Sequence, residues 1–507
     1  MKLVSATWIA VAIGLAGCAA TEAGEPGTSG GDDGTSSSGS AGSPEGAGVA
    51  ESTDAQNGPQ GCGPAAAVAL AESHRLGSAL YAISALDAGV LPKPTLLRRD
   101  DFQAYFAPPP GSAAGAFGRF FPGGTTDGAP QALLETSLFT APPATPTPVH
   151  LVVVIDESSS MREEHALAAG VLGEMTRDGA LGASAGDALT VIEWGDEPTV
   201  SLDLAAPDAD GTFDVAAMVA DLESRASTQL AGAPSFDRLE RVAGDVVDAS
   251  STASHVVMLT DGGFEIDAHA RDAIASLSRR GAIVSLVELH GLAESTDDAM
   301  PFRPELAATF AGGTHLFLGS RVGVTPSELA PTFHDRFGEL FRVRRTDAIG
   351  SLYADGFRLV PVEPEPVGAE TSGVSTAWIG DGGLVTMRAN MVACAGALGP
   401  EVAVVAGLLD DASSESPFTA RAFDAQSPDL TTAAEARVAR SAFVDRLVDL
   451  LEAPCDLGDT SPFRALGADI EASFQTTTLE AGALAEHQAV LARMKEWLLS
   501  YQAVCQP

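Results

Sequence analysis

Apolar and polar positions fall into three textures along the 507 residues. Between His150 and Phe341, short apolar runs alternate with stretches of helical period, the pattern of a parallel sheet covered by helices. The runs from Leu151 to Asp156, Ala188 to Trp194, Val200 to Leu204, His255 to Thr260, Ala282 to Leu289 and His315 to Leu318 read as strands. Leu167, Val171, Leu172 and Met175 make one helical stripe, and Phe236, Leu239, Val242 and Val246 make another. The alternation predicts an α/β domain over residues 148–341 with a doubly wound, mostly parallel sheet.

Beyond Arg342 the runs become β-branched and aromatic, broken by Gly, Pro and Asp: Phe357 to Val362, Val374 to Ile379, Leu384 to Ala389 and Val402 to Leu408. They predict an antiparallel β domain over 342–428. A helical C-terminal region is expected over 429–507, where Phe443, Leu447 and Leu451 share one helical face and Leu484, Leu491, Met494 and Leu498 another. In the segment 62–147, Leu80, Ile83 and Leu86 suggest a short helix ending at Gly89 before Pro92, and this segment is expected to pack on the β domain. No internal repeat is visible.

The first residues have another character. Lys2 precedes an apolar run from Leu3 to Ala16 that is too short to span a bilayer, so residues 1–17 read as an export signal. Leu15, Ala16, Gly17 and Cys18 resemble the bacterial lipobox, which implies cleavage before Cys18 and a lipid on its sulfur. Ala19 after it leans towards the outer membrane of the bacterial cell envelope. Residues 18–61 are Gly, Ser, Thr, Asp and Glu with almost nothing to bury, and are expected to form a disordered tether. No second apolar stretch is long enough to cross a membrane.

Export changes the reading of the cysteines. Cys62, Cys394, Cys455 and Cys505 are disulfide candidates, with three pairings possible; Cys455 with Cys505 and Cys62 with Cys394 are favoured. The formal net charge of −39 argues against nucleic acid, whose phosphates need clustered Lys and Arg.

Candidate chemistry gathers at strand ends. Asp156, Ser158 and Ser160 form Asp-x-Ser-x-Ser at the end of the first core strand, where an open α/β sheet binds ligands. Alone, the string is equally a helix N-cap. Ser227 and Thr228 precede the Phe236 helix, and Thr260, Asp261, Gly262 and Gly263 end the strand from His255. With all three loops in this order, residues 148–341 resemble a von Willebrand factor type A domain with its metal-ion-dependent adhesion site. The resemblance implies that Ser158, Ser160 and Thr228 touch a divalent metal through hydroxyls while Asp156 and Asp261 act through bound water. Mg²⁺ is expected, or Mn²⁺ or Ca²⁺, since hard cations take oxygen ligands. Neutral hydroxyl oxygens around the metal leave charge for an Asp or Glu of a partner protein to compensate. Ser159 stands where Gly is common in the family and Gln229 where many bacterial members have Asn, and a one-residue slip would exchange Thr228 for Ser227. Residues Ser78 to Phe106 resemble the segment preceding this domain in a group of bacterial envelope proteins with a β region and a helical C-terminal region.

No Gly-x-x-x-x-Gly-Lys loop, His-Glu-x-x-His helix or Gly-x-Ser-x-Gly elbow occurs. His165 reads as a solvated surface histidine and Glu193 and Trp194 as core closure. The leading expectation is therefore a non-enzymatic, lipid-anchored envelope protein whose metal captures a partner carboxylate in adhesion or assembly. A structural envelope module whose metal is satisfied internally is the alternative, with a hydrolase ranked below both.

Overall fold

The structure is a computed structural model that describes residues 65–68, 70–71, 76–107, 115–126, 128–162, 164–184, 186–225, 235–262, 267–290, 313–319, 326–346, 348–362, 378–394, 398–409, 411–422, 433–453, 461–475 and 478–505. The export signal, Cys18 and the tether lie outside them.

The chain enters with short strands β1 (Ala65–Val68) and β2 (Leu70–Ala71), helices α1 (Gly77–Asp87) and α2 (Arg99–Tyr105), and a hairpin of β3 (Gly115–Thr126) and β4 (Ala129–Phe139). Next come β5 (His150–Asp156), α3 (His165–Thr176), β6 (Ala188–Trp194), β7 (Thr199–Ala205), α4 (Ala216–Arg225) and α5 (Phe236–Ala249). The same domain continues through β8 (Ser254–Thr260), α6 (Ala268–Arg279), β9 (Ile283–His290), β10 (His315–Gly319), α7 (Pro326–Phe333) and α8 (Phe337–Phe341).

These strands form a six-stranded sheet in the order β10-β9-β8-β5-β6-β7, parallel except for β7 at one edge. The chain runs outward from β5 to β6 and β7, then returns to β8 on the other side of β5, so the order reverses beside β5. All seven residues of β5 are buried, as a central parallel strand covered on both faces requires. Its side chains divide with period two. Leu151, Val153 and Ile155 pack with Leu172 of α3, Leu222 of α4 and Phe333 of α7. Val152 and Val154 pack with Leu239 and Val246 of α5 and Leu277 of α6.

After α8 follow β11 (Val343–Arg345), β12 (Gly350–Ala354), β13 (Phe357–Pro361), β14 (Ile379–Gly380), β15 (Leu384–Ala393), β16 (Glu401–Leu408) and β17 (Asp411–Ala422). The second sheet runs β1-β12-β16-β17-β3-β4-β15-β13 with β2 on β15, antiparallel apart from a short β17–β3 pairing. Its two ends approach each other, β1 lying near β13. β11 and β14 form a separate pair; most of the run expected from Val374 to Ile379 lies outside the described residues. Helices α9 (Ala433–Glu452), α10 (Ser461–Phe474) and α11 (Ala481–Cys505) complete the chain.

The segment before the α/β domain differs from expectation in two ways. Its hairpin is part of the antiparallel sheet, β4 pairing with β15 over nine residues from Leu384↔Phe139 to Val392↔Gln131. Its helix α1 packs elsewhere: Leu80, Tyr81 and Ala85 join the α/β core, where Tyr81 meets Phe317 of β10 edge-on at 5.6 Å. Ala79, Ala82 and Leu86 join the core of the C-terminal helices. A helix apolar on all sides finds burial only between two partners, which explains this placement.

The junctions of the α/β domain converge on one buried ion pair. Asp187 accepts both Nη1 and Nη2 of Arg342 at 2.7 Å. Arg342 also donates to the carbonyls of Thr147 and Ala180, and Asp187 accepts the Val149 amide. Chain segments entering and leaving the domain are thus tied at one point.

Of the disulfide candidates, Cys62 and Cys455 lie outside the described residues; Cys394 follows β15 and Cys505 ends α11, where it is buried.

Candidate metal centre

β5 and β8 are neighbours in the sheet, and their carboxyl ends open onto the crevice where the strand order reverses. Asp156 closes β5 with 1% of its surface exposed. Its Oδ1 accepts the backbone N–H of Ser158 at 2.8 Å, and its Oδ2 accepts the hydroxyl of Thr260 at 2.6 Å. Thr260 is fully buried at the end of β8 and accepts the Gly262 N–H at 3.0 Å. The carboxylate is thereby fixed between two loops.

The loop after β5 turns tightly into a 3₁₀ turn, Ser159–Arg162. That turn brings the hydroxyls of Ser158 and Ser160 to 2.9 Å from each other, with Ser158 buried and Ser160 exposed. Met161 is buried beneath, its sulfur accepting the N–H of Asp261 at 3.0 Å. Asp261 is half-buried beside the crevice. Asp156, Ser158, Ser160 and Asp261 therefore stand on two adjoining loops. Ser227 and Thr228 lie outside the described residues, as do Glu163, Gly263 and Glu265.

Burial pushes the Asp156 carboxyl up to about 6, opposed by its bonds from Thr260 and Ser158 and reinforced by the charge of Asp261. Two carboxylates thus share the crevice. Among the described residues no three His, Cys, Asp or Glu side chains converge on a metal position; the donors present at these two loops are the hydroxyls of Ser158 and Ser160 and the carboxylates of Asp156 and Asp261, all hard oxygens. That donor set fits a hard divalent ion such as Mg²⁺, which keeps part of its water shell.

His165 corrects an expectation. It is fully buried at the start of α3, with Nε2 3.6 Å from Glu157 Oε2. The first turn of α3 is pressed onto the core: Glu164 and Leu167 beside it are buried too. Glu157, which sequence reasoning passed over, is 8% exposed and continues the β5–β6 pairing by donating its N–H to Trp194 O at 3.0 Å. Trp194 is buried, its indole N–H donating to Ser235 O at 3.0 Å and its ring edge-on to Phe236.

No protein-family model and no curated protein matches the chain. Similar solved structures include a von Willebrand factor type A protein from Catenulispora acidiphila, 17% identical over 77% of this chain and 88% of that one, TM-score 0.36. Another is the ArnB paralog VWA2 from Sulfolobus acidocaldarius, 14% identical over 76% and 97%, TM-score 0.35. The pilus adhesin SpaC from Lactobacillus rhamnosus GG is 11% identical over 60% and 47%, TM-score 0.30. The strand order above, and not these likenesses, defines the architecture: a doubly wound α/β sheet, an antiparallel sheet and a helical C-terminal region.

Proposed function

We propose that the chain is a non-enzymatic binding protein of the bacterial cell envelope, held to the membrane by a lipid on Cys18. Its α/β domain, in this reading a von Willebrand type A domain, uses a divalent metal to bind an acidic group of a partner protein. One observation carries the reading: the hydroxyls of Ser158 and Ser160 are paired at 2.9 Å beside a carboxylate, Asp156, that two loops hold at the reversal point of the sheet. Ser158, Ser160, Thr228, Asp156 and Asp261 are the residues that would hold the cation. When bound, the cation supplies an electrophilic position for an incoming Asp or Glu, a contact stronger than an exposed salt bridge. The chain's own part is to keep the carboxylates at 156 and 261 in place. Export also supports the pairings Cys62 with Cys394 and Cys455 with Cys505, which peptide mapping without reductant checks directly.

Partner capture tests the function. With Mg²⁺ present, immobilised wild-type protein retains a partner from detergent-solubilised envelope; chelator releases it, and Asp156→Ala, with unchanged circular dichroism, fails to retain it. A partner held equally by Asp156→Ala and in chelator would contradict the reading. Metal bound by the wild type without a metal-dependent partner would favour a structural module instead.

A further inference from the structure

His150, His255 and His165 are all fully buried in the α/β domain. Both ring nitrogens of His150 and of His255 lie 2.6–3.1 Å from hydroxyls or a carbonyl. His165 is unlike them. Neither of its ring nitrogens has a hydrogen bond among the described residues, and its Nε2 stands 3.6 Å from Glu157 Oε2. Leaving a buried polar group unbonded costs stability, and native interiors seldom tolerate it without a reason.

The two sides of that gap belong to different parts of the domain. Glu157 is anchored to the sheet, its N–H donating to Trp194 O of β6 at 3.0 Å. His165 belongs to the turn that carries the hydroxyls of the candidate metal centre. Ser158 O accepts the N–H of Met161 at 3.1 Å, Met161 O that of Glu164 at 3.0 Å, and Glu164 O that of Ala168 at 2.9 Å. The 3₁₀ turn and the first turn of α3 are thus one hydrogen-bonded piece. Its outer end is held by the bond between the Ser158 and Ser160 hydroxyls, 2.9 Å apart. Coordination competes with that bond, because a hydroxyl oxygen that accepts its neighbour's proton has one lone pair fewer to give.

We propose that Glu157 and His165 are positioning residues for the cation: when the hydroxyls of Ser158 and Ser160 turn towards it, His165 Nε2 closes on Glu157 Oε2 and donates to it. The inference rests on the metal reading above. The bond that forms joins a buried ring to a buried carboxylate, and such charge-assisted contacts are among the stronger hydrogen bonds. Its formation adds to the affinity for the cation, and the unbonded ring nitrogen is the cost of keeping the loop ready.

Magnetic resonance spectra of the histidine rings in the purified, isotope-labelled full chain test this, recorded with and without Mg²⁺. His165 is identified as the signal missing from His165→Gln. Its ring N–H is expected to move downfield and become slow to exchange only at saturating Mg²⁺. In calorimetric titration, His165→Phe, which fills the ring's volume without a donor, should bind Mg²⁺ about tenfold more weakly than wild type, the scale of one such hydrogen bond. His165→Gln, whose amide can donate from near the place of Nε2, should recover most of that loss. Three results would overturn the proposal and leave the metal reading standing: saturable Mg²⁺ binding with the His165 signals unmoved, a His165 N–H already protected before Mg²⁺ is added, or a folded His165→Phe protein that binds Mg²⁺ as wild type does. Absence of saturable Mg²⁺ binding in the folded wild type would overturn both.

Discussion

His255 stands on β8 with Nδ1 3.0 Å from Phe341 O and Nε2 2.6 Å from the Ser285 hydroxyl, its ring edge-on to Phe341 and Trp378. Burial lowers its pKa to about 3. His150, between Ser254 and Thr190 hydroxyls on neighbouring strands, is likewise lowered by burial to about 4. A histidine held neutral when folded takes up its proton on unfolding, so between pH 6.5 and the folded pKa the unfolded state binds more protons. Its contribution to stability is complete above pH 6.5 and is lost as pH falls through that window. His255→Gln should therefore show a stability-versus-pH slope shallower than wild type between pH 4 and 6, by up to about 1.4 kcal/mol per pH unit. Equal slopes in urea titrations at pH 4.5, 5.5 and 6.5 would refute this. At this scale the sequence was legible where residue type implied position: Asp156, Ser158, Ser160 and Asp261 do lie on two adjoining strand-end loops. The burial of His165 and Glu157 was not legible, because it depends on how the first turn of α3 meets the sheet.

Among the elements, helices with a clear apolar stripe were the most readable. Leu239 and Val246 of α5, and Phe443, Leu447 and Leu451 of α9, are buried as their spacing implies. Turns were less readable, since their geometry is fixed from afar. The turn before β6 is organised by Asp187, whose Oδ2 accepts the amides of Gly182 at 2.9 Å and Ser184 at 3.0 Å. Gly182 adopts φ +96°, and a Cβ there would overlap the carbonyl of Gly211. Gly182→Ala combines a left-handed backbone with a backbone clash, so it should destabilise by on the order of 3 kcal/mol. A loss of unfolding free energy under half of that in urea titrations would show that the two glycine turns separate freely.

For the molecule as a whole, long-range ties decide what the local pattern cannot. The β3–β4 hairpin pairs with strands more than two hundred residues later, a registration with no one-dimensional signature. Ion pairs mark the same seams. Arg388 Nη2 reaches Asp100 Oδ1 at 2.7 Å, Arg99 Nη2 reaches Asp449 Oδ1 at 2.7 Å, and Arg119 pairs with both Asp445 and Glu135. The Arg342–Asp187 pair does the same for both junctions of the α/β domain. Arg342→Met leaves a buried carboxylate uncompensated and should cost about 3–5 kcal/mol, while replacing both partners by apolar residues should cost much less. Thermal unfolding of the single and double variants checks the pair; equal losses would mean that Arg342 acts through packing alone.

The central claim, a divalent cation held by the loops after β5 and β8, is tested most directly by isothermal titration of Mg²⁺ and Mn²⁺ into the purified, unlipidated chain, with Asp156→Ala and Ser158→Ala alongside. The account predicts saturable binding at one site in the wild type and its loss in both variants with the fold intact. Absence of saturable binding in the folded wild type, or binding unchanged in both variants, would contradict it.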